Sequence, residues 1–211
     1  MEIYSFKTLP STQKYLVEKI LRDELTAPVA VIALEQSQGI GSRENSWSGG
    51  EGNFFASFAV KLEQLPEDLS LSSASIYFSY LMKKTLEDQG DMVWLKWPND
   101  IYLDDEKVGG IITKKVKNSL VCGIGINLKK SQNGFKSLHS DISAQNLLKK
   151  YLEALEKFPK WKQIFSEYQI EFEQSRRFSV HIENYQKSLQ DALLCEGGSL
   201  LIEGKRVFSL R

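Results

Sequence analysis

The 211-residue sequence has little cysteine and little histidine, and each shortage excludes a class of protein. Two cysteines, Cys122 and Cys195, cannot form the disulfide framework of a small secreted domain, and a chain of this length buries a core without one. Two histidines, His139 and His181, stand in polar surroundings and are too few for a histidine metal site or a Ser-His-Asp triad. We therefore expect two buried or partly buried free thiols and no histidine chemistry.

An excess of one charge and a long apolar run are also absent. Lys plus Arg and Asp plus Glu each total 27, so the formal net charge is zero. Proteins that bind nucleic acid normally carry a basic excess, because neutralisation of phosphates drives their affinity; we expect no nucleic-acid partner here and favour a small anionic ligand. No run approaches the roughly 20 apolar residues of a membrane span, and residues 1–5 lack the features of a signal peptide. These features predict a cytoplasmic protein with no membrane partner.

Hydrophobic patterns divide the chain into a large part with helices and strands and a small part with strands alone. In the large part we predict strands over 2–6, 29–34, 53–60, 93–96, 101–103, 108–115 and 120–128. Helices are predicted over 13–22, 70–89, 141–157 and 159–174. The small part has predicted strands over 179–182, 188–195, 199–202 and 207–210. We expect a main domain over 1–175 and a β domain over 176–211, which is packed on it because about 35 residues are too few to fold alone.

A glycine-rich loop over 36–52 is the first candidate for a binding site. Its glycines allow backbone N–H groups to converge on an anion, Arg43 adds a cation with bidentate geometry, and Trp47 could stack on a planar ring. The alternative is a mobile surface loop with a tryptophan that belongs to the core, and the residues alone leave both interpretations open. A Walker loop is absent, and no helix follows the glycines as a Rossmann fingerprint requires.

The second candidate is the segment from Lys96-Trp97-Pro98-Asn99-Asp100 to Lys107, which precedes Gly109 and Gly110 in a predicted strand. Glycine inside a strand marks a close approach by a backbone or a ligand. Lys107 could present one ammonium group to a carboxylate and a phosphate together. The alternative is a hairpin with an exposed lysine and a turn formed by Asn99-Asp100, which composition alone favours. A separate hairpin turn is predicted at Asp104-Asp105. The later strand ends in Gly123-Ile124-Gly125-Ile126-Asn127 and either contacts a ligand or packs tightly.

In this order the motifs resemble those of the biotin–protein ligases, also called biotin–[acetyl-CoA-carboxylase] ligases. That family has Ser-Thr-Asn, a Gly-Arg-Gly-Arg-type loop that ends in tryptophan, Lys-Trp-Pro-Asn-Asp, Lys-x-x-Gly-Ile and Gly-x-Gly-x-Asn. The corresponding segments here are 11–13, 39–47, 96–100, 107–111 and 123–127. The resemblance covers nearly the whole chain. It implies an α+β fold with a central mixed sheet and packed helices, like the class II aminoacyl-tRNA synthetases, and a small SH3-like C-terminal β domain.

The resemblance also implies a reaction. Such a ligase uses ATP to form biotinyl-5′-AMP and transfers biotin to a lysine of the biotin carboxyl carrier protein of acetyl-CoA carboxylase. Lys107 would bridge the biotin carboxylate and the α-phosphate and stabilise charge at the phosphorus. Mg²⁺ would neutralise the remaining phosphate charge, with its ligands unknown. Arg43 would be catalytic as well, and Asp100 would orient the acceptor lysine or the metal.

The implied binding residues fall into two groups. The expected biotin-binding residues are Ser11, Thr12, Gln13, Gln36, Gly39, Ile40, Gly41, Ser42, Lys107 and Gly110. The expected ATP-binding residues are Arg43, Trp47, Asn99 and Asn127. Family members often pair through their sheets, so a homodimer is a further expectation. Some also carry an N-terminal DNA-binding domain, for which a first catalytic strand at Glu2 would leave no room.

Two other functions stay open. A lipoate– or octanoate–protein ligase shares the broad fold, although its acyl chain has no ureido ring for the polar residues Ser11, Thr12 and Gln36. A biotin or adenylate sensor without catalysis is conceivable because the loop is altered, although retention of Lys107 favours a ligase.

Arg43 is the only cation of the glycine-rich loop, and this carries a first prediction. The family commonly has arginines where this chain has Ile40 and Ser42, and many members have arginine at the position of Asn45. We therefore expect Arg43→Ala to impair adenylate formation severely, measured as biotin-dependent release of pyrophosphate. An unchanged rate would show that another group carries this role.

Overall fold

The computed structural model describes residues 1–41, 46–47, 50–129, 136–182 and 185–208. Strands of its larger part are β1 (Glu2–Leu9), β2 (Val29–Gln36), β3 (Gly39–Ile40), β4 (Ser46–Trp47), β5 (Phe54–Lys61), β6 (Val93–Lys96), β7 (Asp100–Leu103), β8 (Glu106–Val116) and β9 (Ser119–Ile126). One mixed sheet has the order β1-β2-β5-β9-β8-β7-β6, with β1 parallel to β2 and the other neighbouring pairs antiparallel. β3 and β4 form a separate two-stranded pair. The predicted central mixed sheet is confirmed.

Helices cover the two faces of this sheet unequally. The helices are α1 (Thr12–Leu21), α2 (Ala74–Glu87), α3 (Ala144–Leu155) and α4 (Trp161–Ser175). α2, α3 and α4 share one apolar cluster with one face of the sheet, where the Phe58 ring of β5 lies 5.3 Å from Phe78 and 5.6 Å from Tyr151. On the opposite face, Leu16 and Ile20 of α1 pack with residues of β2, β5 and β9. Because α1 contacts chiefly these strands, it leaves the part of the same face that β8 and β7 form largely uncovered.

The free edge of the sheet at β6 is protected by α4. Glu171 Oε1 accepts the Leu95 N–H at 2.5 Å, while Ser175 Oγ accepts the Trp97 N–H at 3.1 Å and donates to the Leu95 carbonyl at 3.3 Å. These bonds replace a missing neighbour strand for backbone groups that would otherwise stay unpaired. Burial raises the pKa of Glu171 above its usual value, and Lys83, 3.2 Å away, opposes this shift. The end of β6 and Trp97 directly after it are therefore held by hydrogen bonds to α4, which is not part of the sheet.

The C-terminal part forms two small antiparallel sheets, as the predicted SH3-like unit requires. Its strands are β10 (Ser179–Ile182), β11 (Tyr185–Ser188), β12 (Leu193–Leu194), β13 (Leu200–Ile202) and β14 (Lys205–Val207). β10 pairs with β11, and β12, β13 and β14 form the second sheet. Val180, Leu189, Leu200 and Ile202 belong to the same apolar cluster as α2, α3 and α4. Packing on the larger part is confirmed, and the domain boundary between residues 175 and 176 stays a prediction.

Two of the predicted C-terminal strands are wrong. The chain turns between β11 and β12 inside the predicted strand 188–195, because Ser188 Oγ accepts the Gln190 N–H at 3.1 Å and the Ala192 N–H reaches the Leu189 carbonyl at 3.2 Å. The predicted strand 207–210 begins earlier, at Lys205. Glu203 and Gly204 both have positive φ, as a tight two-residue hairpin requires, so β14 starts directly after them.

Other bounds differ by a few residues. The predicted helix 70–89 is split, because Leu71–Ser73 forms a 3-10 turn before α2 starts at Ala74. The hairpin turn at Asp104-Asp105 between β7 and β8 is confirmed, with Asp104 at a φ of 53°. Both cysteines are free, Cys122 buried and Cys195 partly buried, as predicted. Among the described residues no helix is long and apolar enough to cross a membrane.

Candidate active site

The candidate site lies on the face of the sheet that α1 leaves open, and its floor is made of glycine. Gly110 of β8 lies opposite Gly125 of β9. Gly123, two residues before Gly125, belongs to the same face of the sheet. The Gln13 side chain crosses Gly123, so that a Cβ there would lie 3.2 Å from Gln13 Cβ. The Trp47 indole crosses Gly125, where a Cβ would lie 2.5 Å from Trp47 Cε2. Only glycine at 125 lets the indole approach the backbone this closely.

A neutral polar pocket occupies the α1 end of this floor. Gln36 Oε1, at the end of β2, accepts the Thr12 N–H at 2.7 Å and the Thr12 hydroxyl at 3.0 Å. Thr12 Oγ1 also lies 2.9 Å from Ser57 Oγ of β5. Ser11 caps α1, because its Oγ accepts the Lys14 N–H at 3.4 Å. The predicted residues Ser11, Thr12 and Gln36 are therefore brought together, with hydroxyl and amide groups already oriented.

Ser57 is a pocket residue that the sequence analysis missed. Its side chain is fully buried and bonds to Thr12. The available signal was a single hydroxyl in the otherwise apolar part of β5, Phe54–Val60, at a position that shares its face with Ala59. A buried hydroxyl in such a strand needs a hydrogen-bond partner, and here the partner is supplied by the first turn of α1.

A charged pair occupies the β7–β8 end of the floor. Lys107 Nζ lies 2.6 Å from Asp100 Oδ1 and 5.5 Å from the centroid of the Trp47 ring. The register of β7 and β8 shifts between Ile101 and Tyr102, which sets Lys107 opposite Tyr102 and turns it toward the Asp100 side. Lys107 is 38% exposed and Asp100 is 21% exposed, so both remain open to a ligand. The predicted catalytic residues Lys107 and Asp100 therefore meet beside Gly110.

A second lysine lies near this pair. Burial lowers the pKa of Lys96, the charge of Lys107 lowers it further, and attraction to Asp100 works in the opposite direction. Its ammonium group lies 3.4 Å from the Tyr102 hydroxyl and over the rings of Tyr102 and Phe178, at 5.5 and 5.4 Å. Burial, together with the charge of Asp100, raises the pKa of Tyr102 to about 12. Lys96 was not among the predicted site residues, although the motif contains it.

The two asparagines predicted to bind ATP support turns beside the floor. Asn99 Nδ2 donates to the Ile111 carbonyl at 2.5 Å, and the Ile111 N–H donates to the Asn99 carbonyl at 3.0 Å. Asn127 Nδ2 donates to the Lys136 carbonyl at 3.1 Å. Both amide nitrogens thus hold backbone in this structure, and a direct contact with ATP stays a prediction.

The glycine-rich loop is described at its two ends. Gly39 and Ile40 pair with Trp47 and Ser46 in the short β3–β4 hairpin, and Gly41 directly follows β3. A Cβ on Gly39 would lie 2.9 Å from Gln36 Nε2, so this end of the loop adjoins the polar pocket. Trp47 Nε1 is buried without a hydrogen-bond partner among the described residues, which leaves a donor inside the site. The predicted residues Ser42 and Arg43 lie outside the described residues.

The described residues contain no group of three or more His, Cys, Asp or Glu side chains placed to hold a metal ion. Asp100 is the carboxylate at the charged end of the floor, and it is paired with Lys107. A dedicated metal cage therefore does not exist in this part of the chain, whereas an ion that arrives on a nucleotide needs only one or two protein ligands.

The fold and the site together define a class of protein. Residues 5–131 match the model of the biotin/lipoate A/B protein ligase family, and the chain belongs to that family. The predicted family is thereby confirmed. The chain is similar to the biotin acetyl coenzyme A carboxylase synthetase from Helicobacter pylori, whose crystal structure contains bound biotinylated ATP. The two sequences are 39% identical, and the two structures have a TM-score of 0.94 over 98% of this chain and 99% of that chain.

More distant relatives share parts of the chain or the fold alone. The bifunctional ligase/repressor BirA of Escherichia coli is 35% identical over 127 residues, which are 57% of this chain and 38% of BirA. The chain thus matches well under half the length of this curated relative. The biotin protein ligase of Aquifex aeolicus in complex with biotin and ATP has a TM-score of 0.75 at 22% identity, over 100% of this chain and 96% of that chain, and shows the same fold.

Proposed function

We propose that this chain is an ATP-dependent biotin–protein ligase, which forms biotinyl-5′-AMP and then transfers biotin to a lysine of a carrier domain. One observation carries the proposal: a single open sheet face has a neutral polar pocket at one end, the Lys107–Asp100 pair at the other and glycine between them. An elongated ligand with an uncharged polar head, an apolar tail and a terminal carboxylate fits this arrangement.

The polar pocket suits the ureido ring of biotin. That ring has one carbonyl acceptor and two N–H donors. Thr12 and Ser57 offer hydroxyl groups that both donate and accept, and Gln36 offers an amide. Because no charged side chain takes part in these contacts, the pocket binds a polar head without the desolvation of an ion. The side chains of Gln13 and Trp47 lie over Gly123 and Gly125, so the tail runs along these two side chains toward Lys107.

Lys107 acts where the two anionic substrates meet. A biotin carboxylate oxygen attacks the α-phosphorus of ATP, the new C–O–P bond forms, and the bond to pyrophosphate breaks. Lys107 leaves its contact with Asp100 and neutralises both the carboxylate and the phosphoryl oxygens. Mg²⁺ enters as part of the MgATP substrate and accompanies the pyrophosphate. Trp47 Nε1 donates to an acceptor oxygen of the bound adenylate.

The second half-reaction makes an amide. The neutral amine of the acceptor lysine attacks the carbonyl carbon of the adenylate, the bond to AMP breaks, and the proton released from the nitrogen passes to water. Asp100, freed from Lys107, orients this amine through a hydrogen bond. We further propose the carrier domain of acetyl-CoA carboxylase as the acceptor, because the Helicobacter pylori protein similar to this chain is named as the synthetase of that enzyme. We also propose that the reaction takes place in the cytoplasm, where ATP is available.

An assay with both candidate acids tests the proposal. The purified protein is incubated with MgATP, a carrier domain and either biotin or lipoate, and the intact mass of the carrier is measured. We expect a mass gain equal to one biotinyl group and none with lipoate, because lipoate has no ureido ring for the Thr12–Gln36–Ser57 pocket. A gain with lipoate alone would make the chain a lipoate ligase. Biotin binding without any mass gain would make it a sensor.

Gln36→Met tests the polar pocket by itself. The substitution keeps the length of the side chain and removes the acceptor of two bonds from Thr12. Loss of such a bond leaves a buried donor unsatisfied, so we expect the dissociation constant for biotin to rise about tenfold or more, as measured by titration calorimetry. Gln38→Met changes an exposed residue of the same segment and serves as the matched control. Equal affinities in both variants would remove Gln36 from the biotin site.

A further inference from the structure

One turn of the C-terminal part is held by three side chains at three consecutive carbonyl groups. We name residues 196–198, between β12 and β13, the docking turn. Trp161 Nε1 donates to the Glu196 carbonyl at 2.9 Å, Ser73 Oγ donates to the Gly197 carbonyl at 2.5 Å, and Trp97 Nε1 donates to the Gly198 carbonyl at 2.8 Å. The three donors come from the start of α4, from the turn before α2 and from the segment after β6. The docking turn is therefore fixed on the larger part of the chain.

The position of Gly198 leaves the docking turn little freedom to shift. Gly198 has a φ of +71°, which favours glycine, and a Cβ there would lie 2.7 Å from Ile76 Cδ1 of α2. The Gly198 N–H also closes the turn by donating to the Cys195 carbonyl at 2.8 Å. Gly197 differs, because a Cβ on it would meet nothing within 4 Å. An added methyl group would therefore be crowded at position 198 and free of contacts at position 197.

Trp97 connects the docking turn to the active site. Its ring is buried, its indole N–H is bonded to Gly198, and its backbone N–H is bonded to Ser175. Two residues further on, the Asn99 carbonyl accepts the Ile111 N–H, and Asp100 then pairs with Lys107. The path from the Gly198 carbonyl to the Lys107 ammonium therefore passes through residues 97–100, of which Trp97 and Asn99 make hydrogen bonds and Asp100 makes the ion pair.

We propose that the docking turn is a positioning element of the active site and that Trp97 is its positioning residue, which acts on Lys107 through Asn99 and Asp100. This inference rests on the proposed ligase function for its kinetic consequence. Displacement of a reacting group by about 1 Å can cost a factor of about 100 in rate, so a side chain that only holds the segment matters for the reaction. The effect falls chiefly on kcat, because the polar pocket that holds the head of biotin is built on α1, β2 and β5 and does not include Lys107.

Two matched pairs of variants test this inference in the full chain. Trp97→Phe and Trp161→Phe each remove one indole bond to the docking turn, but only Trp97 leads to the site. Gly198→Ala and Gly197→Ala each add one methyl group to the turn, but only Gly198 is pressed against α2. For Trp97→Phe and Gly198→Ala we expect kcat of adenylate formation to fall at least about tenfold, with a much smaller change in KM for biotin. Gly197→Ala keeps the wild-type kcat, and Trp161→Phe, which leaves the Ser73 and Trp97 bonds to the docking turn in place, lowers kcat much less than Trp97→Phe does.

Hydrogen–deuterium exchange on the ligand-free proteins separates this inference from the proposed function. Exchange in residues 99–111 becomes faster in Trp97→Phe and Gly198→Ala than in their controls, because the Asn99–Ile111 bonds loosen. Equal exchange, or equal kcat within each pair, overturns the positioning role. A wild-type protein that forms no adenylate overturns the ligase proposal, and exchange alone then decides on the docking turn. Thermal unfolding of all four variants checks that they fold.

Discussion

Replacement of Lys107 by alanine is expected to lower the rate of biotinyl-adenylate formation by a factor of about 100 to 1,000, the usual effect of removing a preorganised electrostatic group. Lys107 is the cation that pairs with Asp100, at 2.6 Å, at the charged end of the glycine floor. Without it, the carboxylate and the triphosphate repel each other, and Asp100 adds a further negative charge. Rapid-quench measurement of biotin-dependent pyrophosphate release gives this rate.

Two further variants sharpen this prediction. Lys107→Arg keeps the charge but replaces a compact ammonium group with a planar guanidinium, so we expect partial activity. Lys115→Ala removes an exposed lysine at the other end of β8 and should leave the rate unchanged. If Lys107→Ala and Lys115→Ala had the same rate, the ammonium at 107 would have no part in the reaction.

Addition of a methyl group at Gly125 is expected to have the second largest effect. A Cβ there would lie 2.5 Å from Trp47 Cε2 and 2.6 Å from Nε1, whereas ordinary contact starts at 3.4 Å. In Gly125→Ala the indole must therefore move by about 1 Å, and a displacement of this size can cost about 100-fold in kcat/KM. Steady-state kinetics with ATP as the varied substrate measures the loss.

The matched control for Gly125→Ala is Gly50→Ala. Gly50 precedes β5, and a Cβ on it would meet nothing within 4 Å. This variant should retain the wild-type kcat/KM, which separates the position of Trp47 from a general effect of added volume. Wild-type kinetics in Gly125→Ala would mean that the indole has no fixed place over the floor during the reaction.

Local patterns predicted the strands of the main sheet well and the C-terminal strands poorly. β2 and β5 are long apolar runs, and this pattern predicts strands that are buried on both faces of the sheet. β11 and β12 are short, and a single Ser188 hydroxyl that bonds to Gln190 decides where the chain turns between them. Such a competition between a strand and a local side-chain bond is too finely balanced for a pattern of apolar residues to resolve.

Parts of the site that are close in sequence were predictable, and parts that depend on strand pairing were not. Lys107 and Asp100 stand in neighbouring motifs, and the hairpin between β7 and β8 brings them together. Ser57 reaches Thr12 only because β5 pairs with β2, 45 residues separating the two hydroxyls along the chain. The bond from Trp97 to Gly198 spans 101 residues. Contacts that depend on the register of distant strands, or on the packing of the C-terminal part, leave no pattern in the local sequence.

Biotin-dependent exchange of labelled pyrophosphate into ATP, measured without any carrier domain, tests most directly whether Lys107 joins biotin to the nucleotide. The account predicts that the wild-type protein exchanges label only when biotin is present, and that Lys107→Ala loses the exchange while Lys115→Ala retains it. Exchange that needs no biotin, or that persists at the wild-type rate in Lys107→Ala, would contradict it.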